Sequence, residues 1–205
     1  MDPTLHIVKQ IIDTPRNFDI IIPTTGRETL QKSIDSVLGQ SYKFWTLYVI
    51  GDGHVPEVPK HEQIYVTSIK GPNNDYGTKA RNFGIKIGFS EWITYLDDDD
   101  EWFPNHLETF NRRIQNFPDH NMLKTSGQGF KMGFRHPRSG QKVEKSAGIN
   151  TTDIMTVGMC HSRKLFEKTK GWQPGDGHDR KLWQDMIDAG GTPYYDQTIT
   201  FKYHV

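Results

Sequence analysis

Apolar positions along this chain fall into short blocks that switch between two spacings, and the switching predicts a layered α/β domain. Phe18-Asp19-Ile20-Ile21-Ile22 is a β-branched run of strand length, broken by Pro23-Thr24-Thr25-Gly26-Arg27. Leu30, Ile34, Val37 and Leu38 then recur at helical spacing between Glu28 and Gly39, with Thr25 placed to cap the helix and Gly39 to stop it. A second apolar run, Trp45 to Ile50, ends on Gly51-Asp52-Gly53. Strand, helix and strand at this spacing make a βαβ unit, which implies parallel pairing and a right-handed crossover.

The same reading carries on down the chain. A loop with prolines from His54 to Pro59 leads to a third strand over Gln63 to Ser68, and Lys70 to Gly77 is turn chemistry throughout. A helix over Thr78 to Gly88 carries Ala80, Phe83, Gly84 and Ile87 as a narrow stripe suited to close packing on a sheet. Trp92 to Leu96 predicts a buried strand, and a helix from Pro104 to Asn116 presents Leu107, Phe110 and Ile114. After Pro118 the character changes: Asn121 to Ser146 is polar, glycine-rich and partly alternating, with His136-Pro137-Arg138-Ser139-Gly140 as a hairpin turn. Ser162 is placed to cap a helix with Leu165 and Phe166 that ends at Gly171. A further helix holds Leu182, Trp183, Met186 and Ile187 and stops at Gly190-Gly191, and Thr192 to Tyr195 and Thr198 to Tyr203 read as two short strands. Met1 to Asn17 is an irregular lead-in.

Composition narrows the field. A chain of 205 residues suits one domain with a substantial core. Its charged residues, 24% of the total, balance to a net charge of zero, so the basic excess of a phosphate-driven nucleic-acid binder is missing. The single cysteine, Cys160, excludes an internal disulfide and reads as a small buried residue. With no apolar run near the roughly 20 residues that span a bilayer and no signal-peptide core, the expectation is a cytoplasmic protein without an integral membrane segment. The oligomeric state stays open.

The stretch with the most chemistry is Asp97-Asp98-Asp99-Asp100-Glu101, five carboxylates directly after a hydrophobic strand. Such a run also describes a solvated turn ahead of the next helix. Its place at a strand end favours a ligand, because open α/β sheets bind ligands beyond the carboxyl ends of their strands. Mutual repulsion raises carboxylate pKa values unless a cation or hydrogen-bond donors intervene, and a hard divalent ion such as Mg²⁺ or Mn²⁺ is the natural neutraliser. Asp52 and Asp179 fall at two further loop positions. A nucleoside diphosphate would use such acids in different ways: Asp52 as acceptor of a base N–H, Asp97 and Asp99 towards ribose and metal, and Asp179 as general base to a hydroxyl.

These pieces resemble, in order from Phe18 to about Ala189, a family 2 glycosyltransferase of the GT-A fold. FDIIIPTTGRETLQKSIDSVLGQSY is similar to the family's first strand and helix, and LYVIGDG to its second strand with the base-contacting acid. GTKARNFGIKIGFSEWITYLDDDDEW resembles the segment ending in the metal-binding D-x-D motif, while MCHSRKLFEKTKGW and HDRKLW resemble the acceptor side. The resemblance implies a GT-A-like single domain over residues 1–205 with a central, mainly parallel sheet flanked by helices and a small second half containing a hairpin. Residues 18–117 would form the half that binds the nucleotide-sugar, and 118–205 the acceptor half.

By the same resemblance, Pro23 and Thr24 line the nucleotide pocket, Asp52 meets the base, and Asp97 and Asp98 approach ribose and phosphate. Asp99 is the principal ligand of Mn²⁺ or Mg²⁺, Asp97 and the late His204 are further metal candidates, and Asp179 is the base of an inverting transfer. The donor would be a UDP-sugar in preference to a GDP-sugar, and the acceptor a glycan or other hydroxyl. Arg81 and Asn82 either reach the nucleotide or pack the helix surface, Trp183 belongs to the core, and Trp102 is the exposed aromatic available to a sugar.

Two positions depart from the family pattern. Gly51 stands where the family has a first acid, and His178-Asp179 where it has Glu-Asp, which changes the charge beside the proposed base. These departures leave a second reading, a nucleotide- or glycan-binding module of the same fold without the reaction. A nucleotidyltransferase ranks last, since no glycine-rich phosphate loop followed by Arg or Lys stands near the first strand.

Overall fold

The computed structural model describes residues 16–130 and 154–204. Most of the predicted lead-in and the predicted hairpin turn at His136 to Gly140 lie outside those residues. One mixed sheet runs through the molecule in the order β3-β2-β1-β4-β7-β6-β8-β5. Its first four strands are parallel: β1 (Phe18–Thr24) sits between β2 (Trp45–Asp52) and β4 (Trp92–Tyr95), and β3 (Ile64–Ile69) forms the edge. Phe18 is level with both Trp45 and Trp92. The parallel strands therefore end together, so the loops after Thr24, Asp52, Ile69 and Tyr95 leave from one edge of the sheet.

Alternation along the strands separates two apolar layers. Phe18, Ile20 and Ile22, with Leu47 and Val49, meet α1 (Leu30–Leu38) and α3 (His106–Asn116) through Leu30, Ile34, Val37, Leu107, Phe110 and Ile114. Ile21, Tyr48, Ile50, Ile93 and Tyr95 meet α2 (Thr78–Ile87), the single-turn α4 (Arg163–Phe166) and α5 (His178–Asp188) on the other face. Gly84 gives α2 its close approach, since a Cβ there would stand 2.8 Å from the Ile21 side chain. The buried stripe of α2 is turned from the predicted one: Ile87 is largely exposed, and Arg81 and Ile85 point inwards. Helical periodicity assigns an arginine to solvent, but this one is buried and paired with a carboxylate, Asp97.

The second half closes the sheet. β7 (Met159–Ser162) pairs antiparallel with β4 and with β6 (Met122–Phe130), and β8 (Pro193–His204) runs parallel to β6. A two-residue strand missed by the pattern, β5 (Glu101–Trp102), pairs with β8. The two predicted C-terminal runs are one strand with a bulge. Tyr195 pairs with Lys124 and Ile199 with Ser126, and Asp196 accepts from the Thr198 N–H at 2.8 Å across the surplus residues. Thr25 does not cap α1, which starts after Thr29 without a side-chain cap. Ser162 caps α4 as expected, accepting from the Leu165 N–H at 3.3 Å.

A buried ion pair joins the two halves. Asp19, fully buried in the central strand, accepts from the Ser90 N–H at 2.9 Å and pairs with Arg163, whose guanidinium also donates to the carbonyls of Ser90 and Ile85 at 2.8 and 2.6 Å. Arg163→Met leaves a carboxylate buried without its counter-charge, a change that costs about 3–5 kcal/mol in comparable pairs. The expected result is a large fall in the urea midpoint; an unchanged midpoint means that the pair does not hold the halves together.

Candidate active site

A cleft of about 350 Å³ opens at the edge where the parallel strands end, walled by Pro23, Thr24, Arg27, Asp52, Tyr76, Arg81, Asp97 to Asp99, His178, Tyr203 and His204. Four loops and the last strand contribute to it. The acidic run is its floor. Asp97 pairs with Arg81, which is buried, donates to the Tyr76 carbonyl at 2.6 Å and lies 4.8 Å from the centre of the Trp172 ring. Asp98 is buried and accepts from the Thr24 hydroxyl at 2.6 Å. Asp99 pairs with Arg27, whose half-exposed guanidinium also stands 3.5 Å from Asp98.

Burial is the main force on these carboxyls. It raises the pKa of Asp98 against the opposing Thr24 hydrogen bond and Arg27 charge, and that of Asp99 against Arg27. Asp100 faces away from the cleft, is fully buried and is pushed up to about 9, first by burial and then by the charge of Asp97. Its Oδ1 accepts from the His204 N–H at 2.9 Å, and its Oδ2 has no partner among the described residues.

On the wall beside β2, Asp52 is held by one residue. The Asn73 N–H donates to Oδ2 at 2.8 Å and the Asn73 amide to Oδ1 at 2.6 Å. Gly51 now has a steric reason. A Cβ there would stand 1.8 Å from the His54 carbonyl oxygen, so the tight turn after β2 leaves no room for a side chain where the resemblance expected an acid.

Asp179 lies in the first turn of α5, half-exposed, and accepts from the Arg180 N–H at 2.8 Å. Its neighbour His178 lines the cleft, whereas Asp179 is not among the lining residues; burial first, and the charges of Asp100, Asp97, Asp99 and Asp179 after it, raise the Tyr203 pKa. Neither residue caps α5, whose cap is Gly177 at φ 68°. His204 ends β8, and its Nε2 lies 3.0 Å from Glu101 Oε1. Its imidazole is thus engaged by Glu101. Trp102 is buried rather than offered to a sugar, its indole N–H donating to the Val157 carbonyl at 3.1 Å and its ring stacked on His106. Trp183 and Cys160 are core, as expected, and Asn82 is bonded to the Trp172 backbone. Sequence reasoning passed over Arg27, Tyr76 and Tyr203. The first two lie in the loops that leave the carboxyl ends of β1 and β3, a position that could have marked them.

A divalent ion suits the chemistry of this floor. The donors are hard carboxylate oxygens held against one another by burial, and Arg27 already shows that Asp98 and Asp99 attract a cation. Among the described residues no three His, Cys, Asp or Glu side chains gather into a group that could hold a metal ion.

The buried Asp100 makes stability depend on pH. An unfolded aspartate titrates near 3.8, so between there and about 9 the folded chain holds a proton that the unfolded chain has released, and stability falls as pH rises. In metal-free buffer the wild-type urea midpoint is expected to drop from about pH 7 to about pH 9, and Asp100→Asn to flatten that drop. Parallel pH profiles would refute it.

The comparisons with known proteins bear on this cleft. The model of glycosyl transferase family 2 matches residues 19–170, from β1 to the end of the turn after α4. WcaA of Escherichia coli K12, a glycosyl transferase ascribed to colanic acid biosynthesis, is 35% identical over 113 residues, which cover 51% of this chain and 40% of WcaA. An uncharacterised glycosyltransferase of Rickettsia typhi is 33% identical over 202 residues, 91% of this chain and 63% of that protein. The structure of Staphylococcus aureus TarS 1–349 in complex with UDP-GlcNAc superposes with a TM-score of 0.69 at 12% identity, covering 92% of this chain and 58% of that one, which shows a common fold. This chain spans less than two thirds of each of them. From the strand that carries Asp19 to the loop that leads to His178, the chain belongs to glycosyl transferase family 2.

Proposed function

We propose that the chain transfers a sugar from a UDP-sugar to a hydroxyl acceptor, with inversion at the anomeric carbon and with a divalent cation. The observation that carries this reading is the gathering of Asp52, Asp97 to Asp99, Arg81 and the His178 turn around one cleft at the carboxyl edge of the parallel strands. UDP-GlcNAc bound to TarS, which shares the fold, supports a UDP-sugar as donor. Donor contacts then fall mostly before residue 118, with the later residues giving the acceptor side. Cytoplasmic placement is part of the proposal, supported by the single buried thiol of Cys160. No helix among the described residues is long and apolar enough to cross a membrane.

In this mechanism Asp52, turned into the cleft by Asn73, accepts the N–H of the base, and Pro23 and Thr24 form the adjoining wall. Arg81 holds Asp97 at the ribose, and the Thr24 hydroxyl holds Asp98 towards the phosphates. Asp99, with Asp97, would hold Mn²⁺ or Mg²⁺, which supplies Lewis-acid stabilisation of the departing diphosphate. Asp179 takes the acceptor's hydroxyl proton as its oxygen bonds to the anomeric carbon. The bond from that carbon to the phosphate oxygen breaks, and its electron pair leaves with the diphosphate. His204, engaged by Glu101, serves the site through its backbone bond to Asp100.

One observation favours the alternative of a binding module without the reaction: Arg27 and Arg81 already neutralise the acids of the floor. A single assay separates the two. With UDP-sugars and Mn²⁺, a catalytic site releases UDP by transfer or slow hydrolysis, whereas a binding module only shifts the melting temperature. For the catalytic reading, Asp99→Ala is expected to abolish the Mn²⁺-dependent part of UDP binding. Asp179→Asn should keep binding and lower UDP release by about 100-fold or more, the loss typical of a removed general base. Full activity in both variants would overturn the roles of Asp99 as metal ligand and Asp179 as base.

A further inference from the structure

The residue that departs from the family pattern beside the proposed base has a structural partner of its own. Tyr76 ends the loop after β3 in the left-handed region, at φ 61°, and its ring stacks on the His178 imidazole with centroids 5.5 Å apart and planes 24° from parallel. The same tyrosine reaches across with its hydroxyl, which donates to Asp176 at 2.8 Å. His178 also lies beside Trp172, with ring centroids 5.6 Å apart and planes tilted at 48°. Trp172 is bonded at both backbone groups to Asn82 of α2, at 3.0 and 2.9 Å, and lies under the Arg81 guanidinium. The imidazole is therefore lodged between an aromatic ring of the donor-side loop and one anchored to α2. Asp179 is the next residue in the chain.

A carboxylate in that place would offer no aromatic face to the Tyr76 ring. Burial and the nearby Arg81 lower the His178 pKa, so the ring is neutral at neutral pH and adds no charge next to the arginine. We propose that His178 is a positioning residue whose ring, clamped between Tyr76 and Trp172, fixes the first turn of α5 against the donor-side loop and so holds Asp179 at the acceptor edge of the cleft. This rests on the reading of Asp179 as the base. The consequence is geometric: the ring contact sets where the base stands, and misplacing a reacting group by about 1 Å can cost about 100-fold.

The test measures UDP release from UDP-GlcNAc and UDP-glucose by the whole chain carrying His178→Ala, His178→Phe or Tyr76→Ala. If the clamp acts through Asp179, His178→Ala and Tyr76→Ala lower kcat by at least about tenfold and change the donor KM less. His178→Phe keeps a stacking ring without a titrating nitrogen, so it is expected to restore kcat to within about threefold and to keep the wild-type pH profile. Three results would overturn the proposal: kcat unchanged in His178→Ala, kcat unchanged in Tyr76→Ala, or His178→Phe as impaired as His178→Ala. The last would make the imidazole itself a proton carrier. Asp179→Asn in the same assay tells this failure from that of the underlying reading, since equal release by Asp179→Asn and wild type removes the base, whereas a normal Asp179→Asn defect with an indifferent His178 removes only the clamp.

Discussion

Four successive aspartates at the end of a buried strand repel one another and lose hydration, and the surroundings of the cleft are shaped by how that cost is offset. Arg81 is drawn inward from α2 to Asp97, Arg27 is drawn across the first loop to Asp99, the Thr24 hydroxyl turns to Asp98, and the last strand lays the His204 N–H on Asp100. Each partner comes from a different element. The acidic loop thus ties β1, α2, β4 and β8 together at one edge.

The two arginines differ in a way that matters for function. Arg81 is almost fully enclosed, fixed by the Tyr76 carbonyl and the Trp172 ring, and so behaves as part of the scaffold. Arg27 is half exposed and has carboxylates as its partners, so its pairing is that of a surface ion pair and contributes little to stability. The same contrast separates the two walls. Asp52 is held by two hydrogen bonds from a single residue, while Asp179 depends on the packing of its neighbour.

One departure from the family pattern is explained by space: Gly51 is required by the His54 carbonyl pressed against it. Gly127 is held to glycine in the same way by the Phe201 ring, which would stand 2.1 Å from a Cβ on that residue. Neither glycine announces itself in the sequence, because the constraint comes from an atom reached only through the folded turn or across the sheet. Trp102 shows the reverse: next to five carboxylates it reads as exposed, yet the short strand β5 turns it under β8 and onto His106.

Period-two and helical spacings, read with the turn residues, were enough to place the parallel strands, the helices that cover them and the strand that ends in aspartates. These are local consequences of burial, and each residue's neighbours in the chain record them. Resemblance in the same stretches also pointed to the residues that line the cleft. What the chain could not declare by itself was pairing at a distance: Arg81 with Asp97, Arg163 with Asp19, His178 between Tyr76 and Trp172, and the joining of two C-terminal runs into one bulged strand. Those partners are between 16 and 144 residues apart wherever they are charged, and no local spacing encodes which of many possible ions or rings will meet once the sheet closes.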